Sequence, residues 1–248
     1  MVFLTKTCSK DLQWLNLSVK TAHHYAKEPL DWYVVGDNDC MVELVALSKL
    51  YPGITWHLSP VQDRWPELMS MGGYYAQQGV KLLAHRFVDT GYFLVVDSDL
   101  LFQKPFTSAS FIGEHKPIYW YSDFNVVATG DRVNQMAHWG RRDLLTNLFN
   151  RADINYEMMR CLPIWLNSEV LRKLESSSMW PRIMQLMAES NPAFSEFNIY
   201  GSYAYFYFPS FYDWRNAETQ GPTFGHLSRQ GWSWENPSQE ILDTVGAL

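Results

Sequence analysis

Phe93-Leu94-Val95-Val96-Asp97-Ser98-Asp99 is the stretch that decides how this chain is read. Four apolar positions in a row, aromatic or mostly β-branched, read as a strand buried on both faces, and such strands belong to sheets covered by helices on each side. The run ends in two carboxylates. Alternation along a strand projects Asp97 and Asp99 to one side and turns Ser98 away. Ligands of open α/β sheets sit outside the carboxyl ends of the strands. Acidic oxygens there suit a hard divalent cation, Mg²⁺ or Mn²⁺, carrying a phosphate-bearing ligand.

Upstream, apolar runs alternate with helical patterns: Val2 to Leu4, Leu12 to Tyr25, Trp32 to Val35, Val42 to Tyr51 and Ile54 to Leu58. This strand-helix rhythm predicts a mostly parallel central sheet flanked by helices, an α/β fold. Ala76, Val80, Leu83 and Phe87 recur at helical spacing and predict a helix against the sheet, with Gln78, Lys81 and His85 on another face. The turn Asp89-Thr90-Gly91 then feeds the strand ending at Asp97. After Pro105 the rhythm changes. Ile118 to Tyr121 and Asn125 to Ala128 read as strands, and Arg132 to Phe149 as an amphipathic helix with Val133, Ala137, Leu144 and Leu148 on one side. Helices are predicted to start at Asn167-Ser168-Glu169, Trp180-Pro181 and Ser195-Glu196. The Gly-, Pro-, Ser- and Trp-rich tail from Thr219 reads as a loop. A single domain is expected, with a ligand-binding half over 1–104, a mixed second half over 105–218 and a loop or lid over 219–248.

A net charge of −6 argues against a protein that grips nucleic acid with Lys and Arg. Cys8, Cys40 and Cys161 are far apart and form no CxxC, so neither a disulfide framework nor a thiolate zinc site is indicated. No apolar run reaches membrane-spanning length, and Met1 to Lys6 is too short for a signal peptide. The expectation is a soluble cytoplasmic protein, free to visit a membrane surface.

The context of the acidic pair resembles the GT-A glycosyltransferases, whose mark is a DxD motif closing a central strand. Here it stands as Val95-Val96-Asp97-Ser98-Asp99-Leu100. Leu4-Thr5-Lys6-Thr7 with Lys10-Asp11 resembles the first strand and loop that hold the nucleotide. Gln77-Gln78-Gly79-Val80-Lys81-Leu82 resembles the helix before DxD, and Phe194 to Gly201 a segment in which an acid lies beside the acceptor. The resemblance implies transfer of a sugar from a nucleotide diphosphate sugar, UDP-sugars first by frequency in the family, to a hydroxyl of a glycan or glycoconjugate, with Mn²⁺ or Mg²⁺ as cofactor.

On that resemblance Asp99 is the direct metal ligand, while Asp97 reaches the ribose or a metal-bound water. His226, in Phe224-Gly225-His226, is the candidate third ligand from a late loop, its other reading being an exposed loop histidine. If the reaction inverts the anomeric centre, Glu196 is the base candidate, and Asp123 in Tyr121-Ser122-Asp123-Phe124 the second. Glu196 has a rival explanation as a carboxylate at a helix start capped by Ser195, and Asp123 as a turn residue. Lys6, Lys10, Lys81, Gln78, Thr5, Thr7 and Ser98 are candidates to meet the donor. Solvated lysines, strand-forming threonines and a structural Ser98 are the plainer readings. Trp232 and Trp234 suit either a lid or the packing of a terminal segment.

Three other classes compete. The motif also fits a haloacid-dehalogenase-like phosphatase with Asp97 as nucleophile, although that family places its motif on the first strand of the core. A nucleotidyltransferase would open with a Gly-rich phosphate loop, and residues 3–12 contain no glycine. A non-catalytic sugar-nucleotide-binding module on the same fold is the third alternative.

Overall fold

The chain opens with β1 (Val2–Thr7), crosses through α1 (Leu12–Tyr25) to β2 (Leu30–Gly36) and through α2 (Met41–Leu50) to β3 (Ile54–Pro60). The computed structural model describes residues 1–131, 134–159, 162–220, 228–230 and 236–248. β1 pairs in parallel with β2 from Val2 opposite Asp31 to Thr7 opposite Gly36, and β2 pairs in parallel with β3. After the short α3 (Val61–Arg64) and α4 (Gly73–Leu82), the chain returns as β4 (Tyr92–Val95) on the other side of β1, again parallel. β8 (Ile164–Asn167) closes the sheet antiparallel to β4, giving the order β3-β2-β1-β4-β8. The order therefore reverses at β1, and a crevice opens where β1 and β4 end side by side, the place where such sheets bind ligands.

The reason for the parallel sheet is in its side chains. Phe3, Leu4, Trp32, Val34, Val35, Phe93, Leu94, Val95 and Val96 are all fully buried, as strands covered on both faces require. α1 lays Leu15, Val19 and Ala22 on one face, and α4 lays Val80. On one side of the sheet Phe3 stacks on Phe102 at 5.7 Å and meets the edge of Trp32 at 5.2 Å.

The second half builds onto this sheet. β5 (Leu100–Phe102) follows the acidic pair, and β6 (Ile118–Asp123) lies between β7 (Tyr156–Glu157) and β9 (Asp213–Asn216) in a smaller sheet. The helices here are α5 (Phe124–Gly130), α6 (Gln135–Phe149), α7 (Ser168–Glu175), α8 (Trp180–Ala188), α9 (Glu196–Tyr207), α10 (Ala217–Gln220) and α11 (Gln239–Gly246). α9 is buried on every face from Glu196 to Ala204, as a helix in the middle of a core must be. It passes so close to Met158 that a β-carbon on Gly201 would lie 2.5 Å from Met158 Cβ and 2.9 Å from Tyr119 Oη. Gly201→Ala is accordingly expected to destabilise the protein by about 1–3 kcal/mol through overpacking, which urea unfolding would measure.

Three expectations need correcting. Asn125 to Ala128 is not a strand but lies within α5, because Asp123 caps the helix by accepting the Asn125 N–H at 2.7 Å. α6 begins at Gln135 and buries His138, Leu145 and Phe149, whereas Ala137, Leu144 and Leu148 are half-buried at its margin. Val133 lies outside the described residues. The tail is more than loop: β10 (Ser228–Gln230) pairs antiparallel with β5, and α11, capped by Ser238, packs Val245 against Trp14, Leu17 and Leu101.

Candidate functional site

The turn after β4 places the two aspartates. Val96 N–H donates to the Leu4 carbonyl at 2.9 Å, and the Asp97 carbonyl then accepts the Leu100 N–H at 3.0 Å. The ladder therefore ends before Asp97, and the strict alternation expected of a strand does not reach the pair. Asp97, Ser98 and Asp99 all line one cavity of about 570 Å³. Ser98 Oγ also donates to the Lys6 carbonyl at 3.3 Å, tying this turn to the end of β1.

The β1 side supplies the second wall. Lys6 is buried and its ammonium donates to the Thr7 carbonyl at 2.7 Å and to Asp37 Oδ1 at 2.6 Å. Thr7, Lys10 and Asp11 line the same cavity. Thr5 does not. It is fully buried, its hydroxyl donating to the Val96 carbonyl at 2.6 Å and accepting Trp32 Nε1–H at 2.9 Å. Its hydroxyl ties β1 to the strand ahead of the aspartates.

α4 and α9 close the far side. Gln78 and Lys81, one turn apart on α4, both reach the cavity. The Lys81 ammonium sits 2.8 Å from Asp97 Oδ1 and 2.9 Å from Glu196 Oε1, and 4.6 Å from the centre of the Phe197 ring. Burial alone would lower the pKa of this lysine. The carboxylates of Asp97 and Glu196 outweigh that and raise it above its ordinary value, so it stays charged. Glu196 is the first residue of α9. Ser195 caps the helix by accepting the Asn198 N–H, and the Glu196 N–H donates to Gln78 Oε1 at 3.1 Å. Glu196 thus has both of its rival attributes at once, a helix-start position and a place in the cavity.

Asp123 lies elsewhere. Its carboxylate caps α5 and is not in the cavity wall, so the structure does not bring it to the other candidates. His226, Trp232, Trp234 and Cys161 lie outside the described residues. Among those described, Thr7 Oγ1, Gln78 Nε2 and Asp11 Oδ1 are buried without a hydrogen-bond partner, and all three residues line the cavity. Unmatched polar atoms gathered at one cavity suggest groups that a ligand satisfies.

Several lining residues were not anticipated. Asp37 could have been, because Val34-Val35-Gly36-Asp37 repeats the pattern of an acid just past a buried strand. Tyr74, Met159 and Phe197 could not, since an aromatic or methionine in a helix or loop carries no sign of which cavity it faces. Cys8 lines the cavity too, and its thiol donates to Asp11 Oδ2 at 3.3 Å. Burial, then the neighbouring Asp11 charge, pushes that thiol up, so it is not poised as a nucleophile.

This architecture, a reversed-order parallel sheet with an acidic turn at the switch point, is the GT-A glycosyltransferase fold. Solved structures of that class share it. The galactosyltransferase LgtC in complex with donor and acceptor sugar analogs superposes with a TM-score of 0.52 at 12% identity, over 88% of this chain and 74% of that one. An active-site mutant of LgtC gives a TM-score of 0.56 at 11% identity, over 88% and 73%. Mouse xyloside xylosyltransferase 1, in its apo form, gives 0.49 at 10% identity, over 94% and 95%. At such identities the likeness to the two LgtC structures speaks for the fold alone. By sequence the chain belongs to DUF6492, a family of unknown function whose model matches residues 15–221. No curated protein sequence matches it.

Proposed function

We propose that this protein is a glycosyltransferase that moves a sugar from a nucleotide diphosphate sugar, with UDP the first nucleotide to test, to an acceptor hydroxyl of a glycan or glycoconjugate. One observation carries the reading: at the switch point of a GT-A sheet, a single cavity brings together the Asp97-Ser98-Asp99 turn, Lys81 and Glu196. The haloacid-dehalogenase-like alternative does not fit, because the aspartates follow the fourth strand of a GT-A sheet instead of the first strand of that family's core.

The donor set fits a divalent cation. Mg²⁺ and Mn²⁺ are commonly held by one or two carboxylates plus substrate phosphates, not by an all-protein cage. Asp97 and Asp99 supply two, and among the described residues no group of three or more His, Cys, Asp or Glu is placed to hold a metal. The cavity wall also carries five carboxylates against three lysines, a deficit of positive charge that a divalent cation would offset. The chemistry such a cation supplies is neutralisation of the charge that gathers on the departing diphosphate.

The chain's own residues supply the rest. Lys10 and Lys81 face the anionic donor as point charges. The wall of Thr7, Asp11 and Gln78 offers one hydroxyl, one carboxylate oxygen and one amide N–H₂ group to its polar edges. Glu196 is anchored by Lys81 through Oε1. In the inverting course its carboxylate takes the acceptor proton as the acceptor oxygen bonds to the anomeric carbon and the bond from that carbon to the diphosphate breaks.

The test is product formation. Incubated with UDP-sugars and GDP-sugars, Mn²⁺ and candidate glycans, the protein is expected to release nucleoside diphosphate, followed by ³¹P NMR, together with a new glycosidic signal. Nucleotide binding without turnover on any donor would favour the non-catalytic sugar-nucleotide module instead.

A further inference from the structure

Lys81 faces the donor in the proposed chemistry, yet its ammonium is already held by two carboxylates of the same cavity. Its side chain is 4% exposed, yet it carries a full charge between two carboxylates from separate elements, Asp97 after β4 and Glu196 at the start of α9. The contact to Asp97 is direct, at 2.8 Å to Oδ1, on one of the two carboxylates that the proposed site offers to the cation or to its bound water. An ammonium and a divalent cation on one carboxylate repel each other, and the repulsion is large where water is excluded.

We infer that Lys81 is a built-in competitor for the divalent cation: it holds Asp97 when the cation is absent and must give up that contact, keeping the one to Glu196, when the cation binds. The geometry allows the exchange. Lysine carries a compact charge on a flexible four-carbon stem, and on leaving Asp97 the ammonium still has Glu196 Oε1 at 2.9 Å and the face of Phe197 at 4.6 Å. Of the other charged groups lining the cavity, Asp99 follows Asp97 in the same turn, and Lys6 on the β1 side is already bound to Asp37 at 2.6 Å. Two consequences follow. The cation binds weakly to the nucleotide-free protein, and a bound diphosphate, which adds negative charge, strengthens it. Cation and donor thereby arrive together.

The inference rests on the reading of Asp97 and Asp99 as the cation's carboxylates. A purely structural lysine would behave in the opposite way, because removing the charge that joins β4 to α9 would disorder Asp97 and weaken the cation site. The experiment is Mn²⁺ binding to nucleotide-free protein, read from the free-ion EPR signal, in wild type, Lys81→Gln and Lys81→Arg. Lys81→Gln is expected to bind Mn²⁺ about tenfold or more tightly than wild type, and Lys81→Arg, which keeps the charge, to stay near wild type. Equal or weaker Mn²⁺ binding by folded Lys81→Gln would overturn the proposal. If that variant does not fold, wild type labelled with [¹⁵N]lysine is titrated with Mg²⁺. A shift of the Lys81 Nζ resonance as Mg²⁺ is added supports the exchange, and an unchanged resonance at every Mg²⁺ concentration overturns it. Failure of the transferase reading looks different: Lys81→Gln would gain cation affinity while no form of the protein bound a nucleoside diphosphate.

Discussion

Asp99→Asn is expected to lose Mn²⁺-dependent nucleotide binding and sugar transfer together. The substitution is nearly isosteric at a residue that is buried and lines the cavity, so the fold should tolerate it. It removes one of the two carboxylates of the acidic turn. Mg²⁺ and Mn²⁺ favour anionic oxygen ligands, and with a two-carboxylate site each charge is a large share of the binding. A loss of about 100-fold in Mn²⁺-supported nucleoside diphosphate affinity, roughly 2.7 kcal/mol, is the scale expected. Isothermal titration in Mn²⁺ and in EDTA separates the effects: the variant should keep the weak, cation-independent component and lose the rest. Full retention of the Mn²⁺-dependent component would remove Asp99 from the cation site.

Glu196→Gln is expected to show the complementary pattern, with donor affinity within about threefold of wild type and kcat reduced by roughly 10²–10⁴-fold, the range for loss of a positioned general base. Glutamine preserves the length of the side chain and an oxygen for Lys81, now at 2.9 Å from Glu196 Oε1. The backbone N–H contact to Gln78 is untouched by the change. What is lost is a group that can accept a proton. Single-turnover kinetics with saturating donor distinguish this from a binding defect. Transfer at near wild-type rate would take the base role away from Glu196 and leave it an orienting or helix-start residue.

The legible part of this molecule was its parallel sheet. Phe93 to Val96 and the β1 and β2 runs are apolar on both faces, a pattern that only a doubly covered sheet satisfies, and the acids that follow them fall at the ligand edge by topology alone. Helix starts were legible where a cap was present: Asn167 accepts the Glu169 and Val170 N–H groups, and Ser195 that of Asn198. What misled was local preference overridden by a cap or by pairing. Asn125 to Ala128 carries the β-branched Val126 and Val127, but the Asp123 carboxylate at their head begins a helix. The tail from Thr219 has loop composition, yet Ser228 to Gln230 finds an unpaired edge on β5 and Val245 finds an apolar patch on α1. No local pattern announces either partner.

The same distinction runs through the site. Acids past a strand end are visible in sequence, and Asp97, Asp99 and Asp37 all follow that rule. Thr5 shows its limit: it stands next to Lys6 and Thr7 on the correct strand, but its hydroxyl is spent on Trp32 and the Val96 carbonyl, and of the two threonines only Thr7, two residues further along β1, reaches the cavity. The bridge from Lys81 to Asp97 and Glu196 was out of reach. The sequence separation between Lys81 and Glu196 is 115 residues, and only the docking of α9 against α4 brings them together.

On the proposed function, the cavity at the end of β1 and β4 binds a nucleoside diphosphate with a divalent cation. The most direct measurement is a thermal-shift comparison of wild type and Asp99→Asn with nucleoside diphosphates, each with and without Mn²⁺, because a ligand bound only by the folded state raises the melting temperature. The expected result is a rise in wild type with at least one nucleoside diphosphate that is larger with Mn²⁺ than without, and a Mn²⁺ increment that vanishes in Asp99→Asn. A melting temperature unmoved by every nucleotide and cation pair, or a Mn²⁺ increment of equal size in both proteins, would contradict it.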